Sequence, residues 1–147
     1  MATDGSIFVK TFGELSGSEV YEILKARCDV FTVEQQICYP DMDDIDYDAV
    51  HVFIADKKGL VLAYLRLYRE EGSVHMGRVL TRDHGKGLGR ILVEEGIRAA
   101  VAHFGASSIV LHSQEYCSGF YEKFGFKITS DIFIEAEIPH VEMVLKL

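Results

Sequence analysis

The stretch TRDHGKGLGRILVEEG, Thr81 to Gly96, decides how the chain is read. It crowds three glycines (Gly85, Gly87, Gly89) and three cations (Arg82, Lys86, Arg90) into a turn that then becomes helical. At a helix start the first backbone N–H groups point along the axis without partners, and the helix dipole adds partial positive charge there. Glycines let the chain approach a ligand closely and adopt φ > 0, so successive amides can line a concavity for phosphate oxygens. A strand, a basic glycine-rich turn and a helix therefore make a pyrophosphate cradle. A turn that merely needs flexible residues leaves the local positive charge unexplained.

The strand ahead of this turn is SVHMGRVL (73–80). Helical spacing predicts a helix from Gly87 to Phe104, with Leu88, Ile91, Leu92 and Ala99 buried and Gly105 as the stop. SIVLH (108–112) follows as a β-branched strand, and the strand–helix–strand order makes it parallel to SVHMGRVL. Nearer the N-terminus, Ile7–Lys10 reads as a short strand. Ser18 reads as the N-cap of a helix running to about Thr32, with Val20, Ile23, Leu24, Cys28 and Phe31 on one face. HVFIAD (51–56) and LVLAYLRLY (60–68) are strands joined by a turn at Lys57–Gly59, and a second turn at Glu70–Gly72 leads into SVHMGRVL. A short helix at Ser118–Phe124 stops at Gly125, after which FKITSDIFI (126–134) and HVEMVLKL (140–147) close the chain as strands. No linker or repeat divides residues 1–147. The expected class is α+β: one domain with a mixed, mostly antiparallel sheet of about seven strands flanked by helices.

Composition bounds the function. The chain has 147 residues, only two of them proline, and nearly half are apolar, which suits one ordered domain with a real core. No apolar run approaches the roughly 20 residues of a membrane span. MATDGSIFVK has no basic region followed by an apolar stretch, so no signal peptide is expected. The three scattered cysteines, Cys28, Cys38 and Cys117, read as free thiols of a reducing cytoplasm. A formal charge of −8 argues against nucleic acid. From Arg78 to Arg90, however, four cations meet one anion, a local +3 that leaves −11 for the rest. A compact positive spot on an acidic body suits one small polyanion.

The glycine spacing sorts the phosphate ligands. A Walker loop needs Lys-Ser or Lys-Thr after its glycine, and none is present. In the dinucleotide fingerprint Arg90 would occupy the third glycine, and apolar residues around Ile109 stand where the acidic ribose ligand belongs. What fits is R-x-x-G-x-G, met by Arg82, Gly85 and Gly87. This resembles the acetyl-CoA motif of the GNAT superfamily of N-acetyltransferases. SGFYEKFGF (118–126) is similar to that superfamily's later motif, a short helix whose tyrosine sits beside the thioester sulfur. The ordered set RCDVFTVEQQICYPDMDDID, HV, YLRLY, GRVL, LHSQ, FYEKFGF and IPHVEM resembles the small ElaA-type branch and covers nearly the whole chain. EAEIPH (135–140) departs from it, since a glycine is expected just before Ile-Pro-His.

The resemblance implies direct acetyl transfer from acetyl-CoA to a primary amine, with no metal. It assigns the CoA pyrophosphate to Arg82, Gly85, Lys86, Gly87, Leu88, Gly89 and Arg90, and the pantetheine arm to Arg78, Val79 and Leu80. The attacking amine must be neutral, although only about one lysine-like amine in a thousand is neutral at pH 7. The thioester oxygen needs a donor, for which a strand-edge N–H near Val79 or Leu80 is the candidate. The leaving thiolate needs a proton, which Tyr121 can donate. His112, at the end of the strand flanking the cofactor, is the first candidate base, with His51, Glu34, Glu115 and His140 as rivals. Glu34, His51, Gln114 and His140 are the expected acceptor-site residues.

Three further features compete for chemistry. The acidic run Asp41–Asp48 fails the calcium-loop pattern in either register and reads as a solvated loop, or as a lure for a cationic amine. Cys117 near a helix start admits an acetylated-thiol route, but Tyr121 and the motif order favour direct transfer. A non-catalytic CoA-binding protein is the alternative to an enzyme. The acceptor, a small-molecule or peptide amine, is not named by the sequence, and a homodimer is left open.

Overall fold

Apolar alternation in the first half of the chain builds a four-stranded antiparallel meander. Its strands are β1 (Gly5–Thr11), β2 (Val50–Asp56), β3 (Val61–Glu70) and β4 (Ser73–Thr81). The computed structural model describes residues 5–147; residues 1–4, the start of the segment expected to carry no signal peptide, lie outside them. β5 (Ser108–Gln114) lies parallel to β4, as strand–helix–strand order requires. After it come β6 (Lys127–Ile128), β7 (Phe133–Glu135) and β8 (Ile138–Lys146). β8 pairs antiparallel with β5, β6 and β7, giving eight strands in the order β1-β2-β3-β4-β5-β8-β6 with β7 on β8. FKITSDIFI is thus not one strand: it breaks into β6 and β7 around Thr129–Ile132. There Thr129 and Ser130 turn their hydroxyls to the Glu142 segment.

Helices cover both faces. α1 (Gly17–Arg27) packs Ile23 and Ala26 on Phe53, Val61, Tyr64 and Leu80. Its N-cap is Ser16, not Ser18, because Ser16 and Glu19 form a reciprocal capping box (Glu19 N–H to Ser16 Oγ, 3.0 Å). The α-helix ends at Arg27 and widens into a π-helical stretch, Cys28–Glu34, so the long regular helix expected from spacing is interrupted. On the other face, α2 (Leu88–Phe104) buries Leu88, Leu92, Val93, Gly96, Ala99 and Ala100, while Ile91 is only partly covered. A Cβ on Gly96 would stand 2.9 Å from Leu65 Cδ2 and 3.0 Å from Met76 Cε, so the helix backbone lies flush on the sheet there. Each fully buried leucine such as Leu65 or Leu92 stabilises by about 1.5–3 kcal/mol. α3 (Ser118–Glu122) follows β5 on the same face. No helix of the described residues is long and apolar enough to cross a membrane.

The sheet is open in its middle. β4 and β5 are hydrogen-bonded only at Val74↔Ile109 and His75↔Val110; beyond these pairs the two strands part. On its other side β4 is bulged: Tyr64 faces Leu80 and Arg66 faces Gly77, so Leu65 alone stands opposite Arg78 and Val79. Arg78 takes up the extra length at φ 51°, a conformation costing about 1–2 kcal/mol for a residue with a side chain. Arg82 donates its N–H to Leu62 O at 2.8 Å. By the alternation of an antiparallel ladder, Tyr64 and Arg66 also turn their polar groups to β4, and Leu65 between them faces β2. The amides of Arg78 and Val79 are therefore free of the ladder, whereas that of Leu80 is used by Tyr64.

Candidate active site

The gap between β4 and β5 is a cleft of about 810 Å³. One wall is β4 from Met76 to Thr81 with the glycine turn, and the other is β5 from Leu111 to Gln114 with α3 and the β7–β8 turn. Gly85 and Gly87 have φ 83° and 74°, and a Cβ on either would meet open space; these two are glycines for backbone shape alone. The first helical bond runs from Ile91 N–H to Gly87 O at 3.4 Å, so the amides ahead of it are available to an outside acceptor. Gly89 has a different purpose. Its Cβ would lie 3.2 Å from Phe120 Cζ, and its absence lets α3 close on α2. Leu88 is 4 % exposed and offers only its amide. Lys86 and Arg90 stay exposed, with Asp83 at 3.7 Å and Glu94 at 3.6 Å, pairs too open to neutralise them.

The other two cations of that segment are engaged elsewhere. Arg82 donates from Nε to Val61 O (2.6 Å) and from Nη1 to Asp29 (2.8 Å), and it does not line the cleft. It anchors the start of the turn to β3 and the π-helical stretch, which corrects its assignment to pyrophosphate. Arg78 lines the cleft, but its guanidinium is occupied by Asp41 Oδ1 (2.8 Å) and Asp41 O (2.8 Å).

Of the acidic run, Asp41, Asp43 and Asp46 are held by arginines and are not free to draw in an amine, while Asp44 and Asp48 stay exposed, as a solvated loop requires. Buried Arg27 bonds Asp41 at 2.8 Å and Asp46 at 2.7 Å, and buried Arg66 bonds Asp43 at 2.6 Å and Asp46 at 3.0 Å. Burial alone would raise the Asp43 and Asp46 carboxyls; hydrogen bonds and charge from these arginines outweigh it and hold both below the usual range. His51 belongs to this network and not to the cleft. It is 1 % exposed, donates Nε2–H to Asp46 O (2.9 Å) and accepts the Tyr64 hydroxyl at Nδ1 (2.6 Å). Burial lowers its pKa, leaving it neutral, so the acceptor role expected of His51 falls away.

On the far wall Tyr121 is 9 % exposed, wedged edge-on against Phe120 (5.1 Å between centroids) and Phe126 (6.0 Å). Burial, helped by nearby Cys117, pushes its pKa up, so the phenol keeps its proton at ordinary pH. Cys117 is half-buried, and burial raises its pKa as well, which works against a nucleophilic thiolate. His112 and His140 both line the cleft, the first half-exposed and the second 7 % exposed. Gln114 lines it too, and its amide donates to Gln35 Oε1 at 3.0 Å, tying β5 to the segment after α1. Glu34 does not line it, but pairs with His84 of the glycine turn at 3.2 Å, both side chains exposed.

Glu135, which lines the cleft, and Phe133, which supports that wall without lining it, escape sequence reasoning. Glu135 accepts from His112 Nδ1 at 2.9 Å and lies 3.7 Å from His140 Nε2. Phe133 packs between the two imidazoles at 5.1 and 6.0 Å. Both depend on the β7–β8 turn, where Ala136 (φ 50°) and Glu137 (φ 65°) adopt a conformation usually left to glycine or asparagine. The glycine-free EAEIPH segment is the one sequence signal that this turn is unusual.

The arrangement offers amides and positive charge at one end, a buried proton donor in the middle and imidazoles with a carboxylate at the other end. Comparison with known proteins gives the family. The family model described as an acetyltransferase (GNAT) domain matches residues 24–147. A UPF0039 protein of Schizosaccharomyces pombe is 39 % identical over 142 residues, spanning 94 % of this chain and 95 % of its own. ElaA of Escherichia coli is 31 % identical over 137 residues, spanning 88 % and 89 %. A solved acyl-CoA N-acyltransferase from Pseudomonas aeruginosa superposes with a TM-score of 0.90 at 32 % identity, covering 96 % of this chain and 99 % of that one.

Proposed function

The chain belongs to the GNAT acetyltransferase family, and from that premise we propose that it transfers the acetyl group of acetyl-CoA to a primary amine by direct attack in a ternary complex. The observation that carries this reading is the parting of β4 and β5 between the glycine turn and Tyr121. The chain's own residues suit the co-substrate. Backbone amides from Gly85 to Arg90, with Lys86 and Arg90 beside them, would hold the diphosphate, and the unpaired β4 edge at Arg78 and Val79 would run along the pantetheine arm. Acetyl-CoA supplies an activated acyl carbon and a thiolate leaving group.

The remaining work falls to side chains and amides of the cleft. The Val79 N–H, free of the β3 ladder, is the donor for the developing oxyanion; a preorganised donor of this kind contributes about 3 kcal/mol. The Tyr121 phenol, kept protonated by burial, gives its proton to the departing sulfur. His112 and His140 are the groups able to receive the amine's proton. The amine itself, small molecule or peptide, enters from their end of the cleft.

Replacing Tyr121 by Phe is expected to lower kcat about 100-fold or more while leaving acetyl-CoA affinity within about twofold. Steady-state kinetics with a responsive amine, alongside calorimetry, checks both numbers. Undiminished turnover would remove Tyr121 from the proton-donor role and favour a CoA-binding protein whose phenol is only packing.

A further inference from the structure

Beside His112 and His140 the cleft is lined by a carboxylate that is not committed to an arginine, Glu135. Its Oε1 accepts from His112 Nδ1 at 2.9 Å, and His112 Nε2 in turn lies 4.0 Å from Glu142. Its Oε2 lies 3.7 Å from His140 Nε2. That distance is too long for a direct hydrogen bond; a tetrahedral donor bonded to both at about 2.8 Å spans about 4.6 Å, so Oε2 swings outward by about 1 Å to admit one. The tautomer of His140 is set independently: Nδ1–H donates to Ile138 O at 2.7 Å, so the neutral ring presents the Nε2 lone pair. Phe133 packs against both imidazoles, and the turn carrying Glu135 is strained at Ala136 and Glu137. Strain of this kind persists only where the surroundings hold it, and here it sets a carboxylate beside an imidazole inside a cleft.

We propose that Glu135 is the specificity-determining residue of the acceptor site: its Oε2 binds the ammonium form of a primary amine against His140, whose Nε2 takes the proton as the amine becomes neutral. The proposal rests on the acetyl-transfer reading above and deepens it. Two protons leave the nitrogen: one passes to Nε2 before attack, and the second, lost after attack, replaces the one that Tyr121 gives to the sulfur. The ammonium loses one proton to Nε2, leaving a neutral amine with a free lone pair and an imidazolium whose charge Glu135 offsets. His112 is then a positioning residue that holds Oε1 and aims Oε2.

The test compares two small probes at saturating acetyl-CoA: propylamine, an ammonium at neutral pH, and 2,2,2-trifluoroethylamine, largely neutral there. Glu135→Gln keeps the shape and an acceptor for His112 but removes the charge. It is expected to raise KM for propylamine about tenfold and KM for trifluoroethylamine by no more than about twofold, with KM for acetyl-CoA unchanged. Glu135→Asp should restore part of the propylamine loss. Equal losses for both probes, or none for either, would overturn the proposal while leaving acetyl transfer in place. No turnover of either probe by the parent protein, with acetyl-CoA still bound, also overturns the Glu135 site. Absence of acetyl-CoA binding overturns the acetyl-transfer reading itself.

Discussion

The second half of β4 and the turn that follows it treat charge in opposite ways. Around Arg78 the strand meets three aspartates and two buried arginines, and most of the polar atoms there are partnered. Past Thr81 the chain turns through Gly85 and Gly87 and leaves backbone amides and two exposed cations, Lys86 and Arg90, without strong partners. Both regions are dense in charge, yet only the second can act on something outside the protein. The first consumes its charges in holding the segment Asp41–Asp46 against the sheet. Unspent donors, rather than charge density, mark the site.

The sharpest way to break this contrast is at Arg27, which is 0 % exposed. Arg27→Met leaves Asp41 and Asp46 short of a buried partner and is expected to cost about 3–5 kcal/mol in urea unfolding. A cost below about 1 kcal/mol would make the network ornamental. The same unfolding series across pH has a determined sign. His51 is held neutral by burial, so the unfolded chain takes up its proton first and stability begins to fall as pH drops below about 6.5. Asp43 and Asp46 have lowered folded pKa values, so their contribution is complete above about 4 and is lost as pH falls through the folded values. A smaller effect sharpens the other side of the contrast. In Gly89→Ala the new methyl presses on Phe120, whose ring lies 5.1 Å from that of Tyr121. We expect kcat to fall about five- to tenfold with acetyl-CoA affinity within about twofold, as for a displaced catalytic group. A loss confined to affinity would mean that the missing side chain at Gly89 serves the diphosphate rather than the seat of Phe120.

Local signals were legible in the sequence and long-range pairings were not. The glycine turn, the α2 stop at Gly105 and the parallel β4–β5 relation follow from residues within a few turns of one another, and all appear in the fold. The positive spot counted from Arg78 to Arg90 is half illusory, because Arg78 meets Asp41 from 37 residues away and Arg82 meets Asp29 from 53. Local counting cannot see such partners. His51 looked available for the same reason, until folding enclosed it with Tyr64 and Asp46. The bulge at Arg78 and the Ala136–Glu137 turn both place side-chain-bearing residues at positive φ, against their own preference, so propensity hides them. At both, as at the glycine turn, backbone shape sets what faces the cleft.

The central claim is that amides at the start of α2 bind the diphosphate of acetyl-CoA. Adding acetyl-CoA to ¹⁵N-labelled protein and following each amide resonance tests it directly. The largest shifts are expected from Gly85 to Arg90, with Val79 also moving. Shifts absent from that turn, or gathered around Arg27 and Asp46, would contradict it.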